Sequence, residues 1–79
     1  MREQTVSKLN EVVRAVLELP SGAAVTAARQ GVTPGWDSLA HAVLIGAMES
    51  EFELQIDASD SLELTSYEAI GHFLEAHGL

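Results

Sequence analysis

The chain contains no cysteine. No disulfide can brace it, no thiolate can hold zinc, and the composition leaves the redox compartment open. Long apolar runs are missing as well. No segment approaches the roughly 20 apolar residues that span a bilayer, and the first residues lack the charged-then-apolar layout of a secretory signal. The expectation is a cytoplasmic protein with no membrane contact. Positive charge is the third scarcity: four Lys or Arg stand against twelve Asp or Glu, for a formal net charge of −8 at pH 7 with His neutral. Arg2, Lys8, Arg14 and Arg29 are scattered along the chain. Phosphate backbones demand clustered positive charge, so the composition argues against nucleic acid as a partner. A negative field of this size favours partners with basic surfaces and makes their encounter slow with salt. Solubility alone would also account for it.

What is present is helical periodicity in a chain of 79 residues, read as one monomeric domain over 1–79. A chain this short buries only about 60% of its unfolded surface, so its core is modest. From Glu3 to Glu18, the apolar residues Val6, Leu9, Val13, Val16 and Leu17 recur every three or four positions, the period of a half-buried helix. Pro20, Ser21 and Gly22 are expected to stop it, since Pro cannot continue the hydrogen-bond ladder and Gly accepts the backbone angles of a helix end. Ala23 to Gly35 reads as a long loop with one helical turn around Ala24 to Arg29, pinned to the core by Val25 and Val32. Loops beyond about twelve residues are uncommon in compact domains and often functional. Trp36, the only tryptophan, is expected to pack beneath this loop and fix the angle of entry to the next helix; contact with a bound group or partner is the alternative.

Pro34 and Gly35 form a turn, and Asp37 and Ser38 then precede an apolar run from Leu39 to Met48, which predicts a second helix from Ser38 to about Phe52. Its first half is apolar on every side. A small bundle cannot bury both sides; at about 100° per residue, Leu44, Ile45, Met48 and Phe52 face inward while Leu39, Ala42, Val43 and Gly46 share the side of Ser38. That outward stripe is a candidate docking surface, with single apolar residues on an ordinary surface as the plainer explanation. Glu49, Glu51 and Glu53 crowd a helix C-terminus, where the dipole disfavours anions; solvation or docking to a basic partner would explain them. Asp57 and Asp60 mark a short capped turn of helix ending near Leu62. Thr65 to Glu68 reads as a capping box opening a last helix through Tyr67, Ile70, Phe73 and Leu74 to Gly78. The expected fold class is all-α, a four-helix bundle with three longer helices and a short third.

Three constellations invite catalytic or metal readings. Asp37, Ser38 and His41 contain the residue types of a triad, but they fall within about one helical turn. A triad's base bridges nucleophile and acid from separate elements, opposite an oxyanion hole. No catalytic residue is assigned, the chain is not expected to be an enzyme, and His41 is expected to be an ordinary helix residue paired with Asp37 four back. His72 and His77 are five apart, not the i, i+4 spacing of a metal pair, and Asp57, Asp60 and Glu63 lack the glycine and ligand order of a calcium loop. No metal site is expected.

Asp37, Ser38 and Leu39 resemble the Asp-Ser-Leu attachment motif of acyl carrier proteins. The likeness continues with Phe52 one helix-length after Ser38, then Ile56 and Asp57, then Leu64, Thr65 and Ser66 at the start of the last helix. It covers roughly the last three fifths of the chain in the family's order without a gap. The resemblance implies an acyl-carrier-like bundle in which a phosphopantetheinyl transferase esterifies the Ser38 hydroxyl with 4′-phosphopantetheine from coenzyme A. The arm's terminal thiol would then carry acyl groups as thioesters between fatty acid, polyketide or related biosynthetic enzymes. A thiol of pKa about 8.5 yields a workable thiolate where a serine hydroxyl does not, and tethering raises the cargo's effective concentration at each enzyme. Acyl-loading and acyl-transfer enzymes would dock near Leu39, Ala42, Val43, Gly46 and Glu49. Family members commonly carry an acid soon after the serine; Ala40, His41, Ala42 and Val43 stand there instead, which implies a more apolar face, acidic only at Glu49. Two alternatives stay open: a peptidyl carrier loaded with an amino acid, and an unmodified acidic helical module that binds a partner helix through Leu39, Val43 and Gly46. Small residues Ala47, Ala69 and Gly71 add the expectation of room between helices for a sheltered acyl chain.

Overall fold

The computed structural model describes all 79 residues. Four α-helices follow one another: α1 over Glu3–Leu17, α2 over Ser38–Phe52, α3 over Ala58–Glu63 and α4 over Tyr67–Ala76, with one 3-10 turn over Val25–Ala27 between the first two. There is no strand, only an isolated antiparallel bridge between Arg29 and Ser66. The apolar stripe of α1 buries Leu9, Val13 and Leu17, against Leu44, Ile45 and Met48 of α2 and Tyr67, Ile70 and Leu74 of α4 in one continuous core. The Tyr67 hydroxyl donates to Asn10 Oδ1 at 2.6 Å, tying α4 to α1, and burial raises its pKa above the ordinary 10.0.

The stop of α1 comes earlier than expected, and by another device. Glu18 takes the left-handed conformation (φ 51°), and its N–H and that of Leu19 both turn back to the Arg14 carbonyl, while Gly22 keeps a negative φ. The end of α2 repeats this, with Glu53 at φ 52° and the N–H groups of Glu53 and Leu54 on the Glu49 carbonyl. In each case the leucine after the glutamate packs against the core. A half-buried apolar anchor, rather than Gly or Pro, thus holds an ordinary residue in a backbone region that L side chains disfavour.

The long connection between α1 and α2 is tied down at both ends of the bridge: Gln30 N–H donates to the Thr65 carbonyl at 2.8 Å, and Tyr67 N–H donates to the Ala28 carbonyl at 2.9 Å. Val25 anchors it as expected, but the second anchor is Ala28; Val32 is 73% exposed. Thr33 explains the difference. Its N–H reaches the Arg29 carbonyl at 2.9 Å and its hydroxyl accepts from Arg29 N–H at 2.8 Å, a tight turn that leaves Val32 at its outer tip.

The same pairing moves the start of α4. The Thr65 carbonyl is engaged by Gln30, so Ser66 becomes the N-cap, accepting from Ala69 N–H at 3.1 Å, and the expected box between Thr65 and Glu68 does not form. The helix ends at Ala76, two residues short of Gly78. At Gly71, the space that a side chain would fill is taken by the Met1 methyl, 3.2 Å from the would-be Cβ.

Candidate functional site

Ser38 is positioned by the turn that precedes it. Trp36 N–H donates to the Thr33 carbonyl at 3.1 Å, with Pro34 second and Gly35 third at φ 90°, the arrangement of a type II turn. Only glycine fits the third place, because a Cβ there would lie 3.0 Å from the Leu17 carbonyl oxygen at the end of α1. A second bond, Gly31 N–H to the Trp36 carbonyl at 3.1 Å, closes the loop base. Asp37 then caps α2: its Oδ1 accepts from Ala40 N–H at 2.8 Å and its carbonyl accepts from His41 N–H at 2.9 Å. Ser38 is the first helical residue and is exposed. Its hydroxyl makes no hydrogen bond within the protein, and it stands where the helix dipole is positive and backbone donors lack intrahelical partners.

Beneath this start lies a polar bridge that periodicity did not reveal. The buried Trp36 indole donates from Nε1 to His41 Nδ1 at 3.1 Å, and His41 Nε2 lies 2.8 Å from the Ser61 carbonyl on α3. The two rings stack, with centroids 6.1 Å apart and planes inclined by 23°. Trp36 thus packs under the loop as expected, but His41 does not pair with Asp37. Its ring is drawn instead to a donor and an acceptor on separate segments.

The two sides of α2 divide as its spacing predicted. Leu44, Ile45 and Met48 are buried and Phe52 is half-buried, while Leu39 (75% exposed), Val43 (53%), Ala42 and Gly46 face outward with Ser38. Leu62 on α3, 79% exposed, is a large apolar residue that the sequence pattern did not single out; it directly follows Ser61. Glu49 is not a free acid at the helix end. It is half-buried, and its Oε2 accepts from Ile56 N–H at 2.9 Å, whereas Glu51 and Glu53 are exposed.

Comparison with known protein families, curated proteins and solved structures finds no match. What distinguishes the site is therefore its own geometry. Ser38 has no base at hand: the His41 ring is engaged by Trp36 and Ser61, and Asp37 Oδ1 by the backbone of Ala40. Elsewhere, His72 lies 3.9 Å from Glu68 on the same helix, His77 Nδ1 meets the Phe73 carbonyl at 2.9 Å, and no group of three or more His, Asp or Glu is placed to hold a metal ion.

Proposed function

We propose that the chain is an acyl carrier protein in which Ser38 Oγ is the attachment atom for 4′-phosphopantetheine, and that it shuttles thioester-bound acyl groups between biosynthetic enzymes. The observation that carries this reading is an exposed, unbonded serine hydroxyl at the first residue of α2, within the triplet Asp37, Ser38, Leu39. The surroundings fit a phosphodiester-linked group. Ser38 is exposed, and the helix start favours negative charge. When bound, the arm supplies the thiol that holds the cargo. The chain's own part is to present the oxygen rigidly, since Ser38 lacks a neighbouring base and must be activated by a phosphopantetheinyl transferase.

Leu39, Ala42, Val43 and Gly46 form the face that loading and transfer enzymes would cover. Glu49 borders this face, but its carboxylate already serves the α2–α3 connection, so apolar contact would count for more in docking than charge at that position. The large exposure of Leu39 and Leu62 also suits a second reading, an unmodified module that binds a partner helix.

Intact mass after incubation with coenzyme A and a promiscuous phosphopantetheinyl transferase separates the two. The carrier reading expects one added phosphopantetheine on the wild-type chain and none on Ser38→Ala, with both proteins equally helical. A folded wild-type chain that gains no mass would favour the module. Loading the modified protein with activated acyl or aminoacyl groups then distinguishes an acyl from a peptidyl carrier.

A further inference from the structure

We propose that His41 is a positioning residue that makes the presentation of Ser38 depend on the protonation of its ring; only the functional consequence rests on the carrier reading above. Of the ring's three polar neighbours, the Ser61 hydroxyl, 3.5 Å from Nε2, can donate or accept, but the other two each have one role. An indole N–H can only donate, so Nδ1, 3.1 Å from Trp36 Nε1, must offer a lone pair; a carbonyl can only accept, so Nε2, 2.8 Å from Ser61 O, must carry the proton. Both bonds are satisfied only by the neutral ring protonated on Nε2. In that form one side chain joins the residue before the Asp37 cap, the first turn of α2, and α3.

A proton added to Nδ1 sets a donor against a donor. The bond to Ser61 survives, but the Trp36 N–H, on a ring only 2% exposed, loses its partner. Trp36 adjoins Asp37, which caps the helix that begins with Ser38, so a shift of the indole reaches the serine through two peptide units. None of the residues of α3 is itself buried, and its core contacts come from Ile56 before it and Leu64 at its C-cap. The ionisable groups on the packed elements are Asp37 at the cap and Asp57, Asp60 and Glu63 around α3. None forms an ion pair with the ring, and Asp37 Oδ1 and Asp57 Oδ1 are engaged by the amides of Ala40 and Asp60. His72 of α4 shares a surface cleft with Asp60 and Glu63. Nothing is poised to compensate a positive ring, and histidine is the side chain whose charge changes between about pH 5 and pH 8.

The test uses the unmodified full chain, followed by nitrogen-15 and proton NMR as the pH is lowered through that range. The Trp36 indole N–H and the amides of Ser38 and Leu62 are expected to move together with the His41 ring as a single-proton event. In His41→Asn, which places an uncharged acceptor where Nδ1 stands, these signals should stay still; His41→Gln serves as a second variant. An indole signal that ignores the His41 titration, or that moves equally in both variants, overturns the proposal. For the consequence, the rate of phosphopantetheine transfer to wild type divided by that to His41→Asn, with one transferase, is expected to fall several-fold from neutral to acid pH. The ratio cancels the transferase's own pH dependence, and a constant ratio overturns the link to Ser38. If neither protein gains mass at any pH, the carrier reading fails, while the indole titration still decides the role of His41.

Discussion

Glu49 holds a carboxylate at the negative end of a helix dipole, a placement that disfavours it by itself. The compensation is the Ile56 amide, which lies in a buried residue with no backbone acceptor and takes Glu49 Oε2 at 2.9 Å. Glu49→Ala would leave that N–H unpaired and is expected to cost about 1–3 kcal/mol; Glu49→Gln keeps an acceptor and should cost clearly less. Urea unfolding of the two variants separates hydrogen bonding from charge, and equal losses would refute the assignment. Gly35 is the second residue with a local reason. At φ 90° and facing the Leu17 carbonyl, Gly35→Ala combines left-handed strain with a backbone clash and should lose at least about 1–2 kcal/mol. Sequence alone could place Ser38 at a helix start and Gly35 in a turn, because both signals are local. It could not see Glu49 or His41 in their roles, since their partners lie seven and twenty positions away.

At the scale of the element, helix positions were readable because the same spacing that defines each helix also defines its buried side: α2 spans Ser38–Phe52 as its apolar run predicted, and α3 follows its Asp57 cap. Ends were less readable. Both fifteen-residue helices terminate in a left-handed glutamate, a choice made by the packing of the half-buried leucine that follows against the core, not by an intrinsic preference of glutamate. Glu18→Gly and Glu53→Gly should each stabilise the fold by about 0.5–1 kcal/mol, the relief of left-handed strain outweighing the added entropy of the unfolded chain. In a domain of this size 1 kcal/mol moves the melting temperature by about 4–8 °C, so calorimetry should register a rise of a few degrees. A fall would mean that the glutamate side chains hold the helix ends in some other way. The start of α4 teaches the same lesson: Thr65 and Glu68 have the spacing of a capping box, but the pairing of Gln30 with the Thr65 carbonyl hands the cap to Ser66.

At the scale of the whole molecule, the contact between Tyr67 and Asn10 joins residues 57 positions apart and carries a pH signature. Burial raises the Tyr67 pKa above its unfolded value of 10.0, so its contribution is complete below that pH and is lost as the pH climbs through the raised value. Wild type should therefore show an extra loss of stability in alkali that Tyr67→Phe lacks; parallel alkaline profiles for the two proteins would contradict it. Composition and periodicity by themselves determined an acidic, all-helical chain, the inward stripes of its helices, and a serine at the head of the second one. Those properties are carried by residues within a few positions of one another, where backbone geometry alone sets the neighbours. Tertiary structure decided which groups the His41 ring meets, that the Tyr67 amide anchors the long loop at Ala28, and that leucines packed on the core end the two longest helices. Each of these depends on a partner brought close only when the elements pack, and such a partner leaves no periodic trace in the chain.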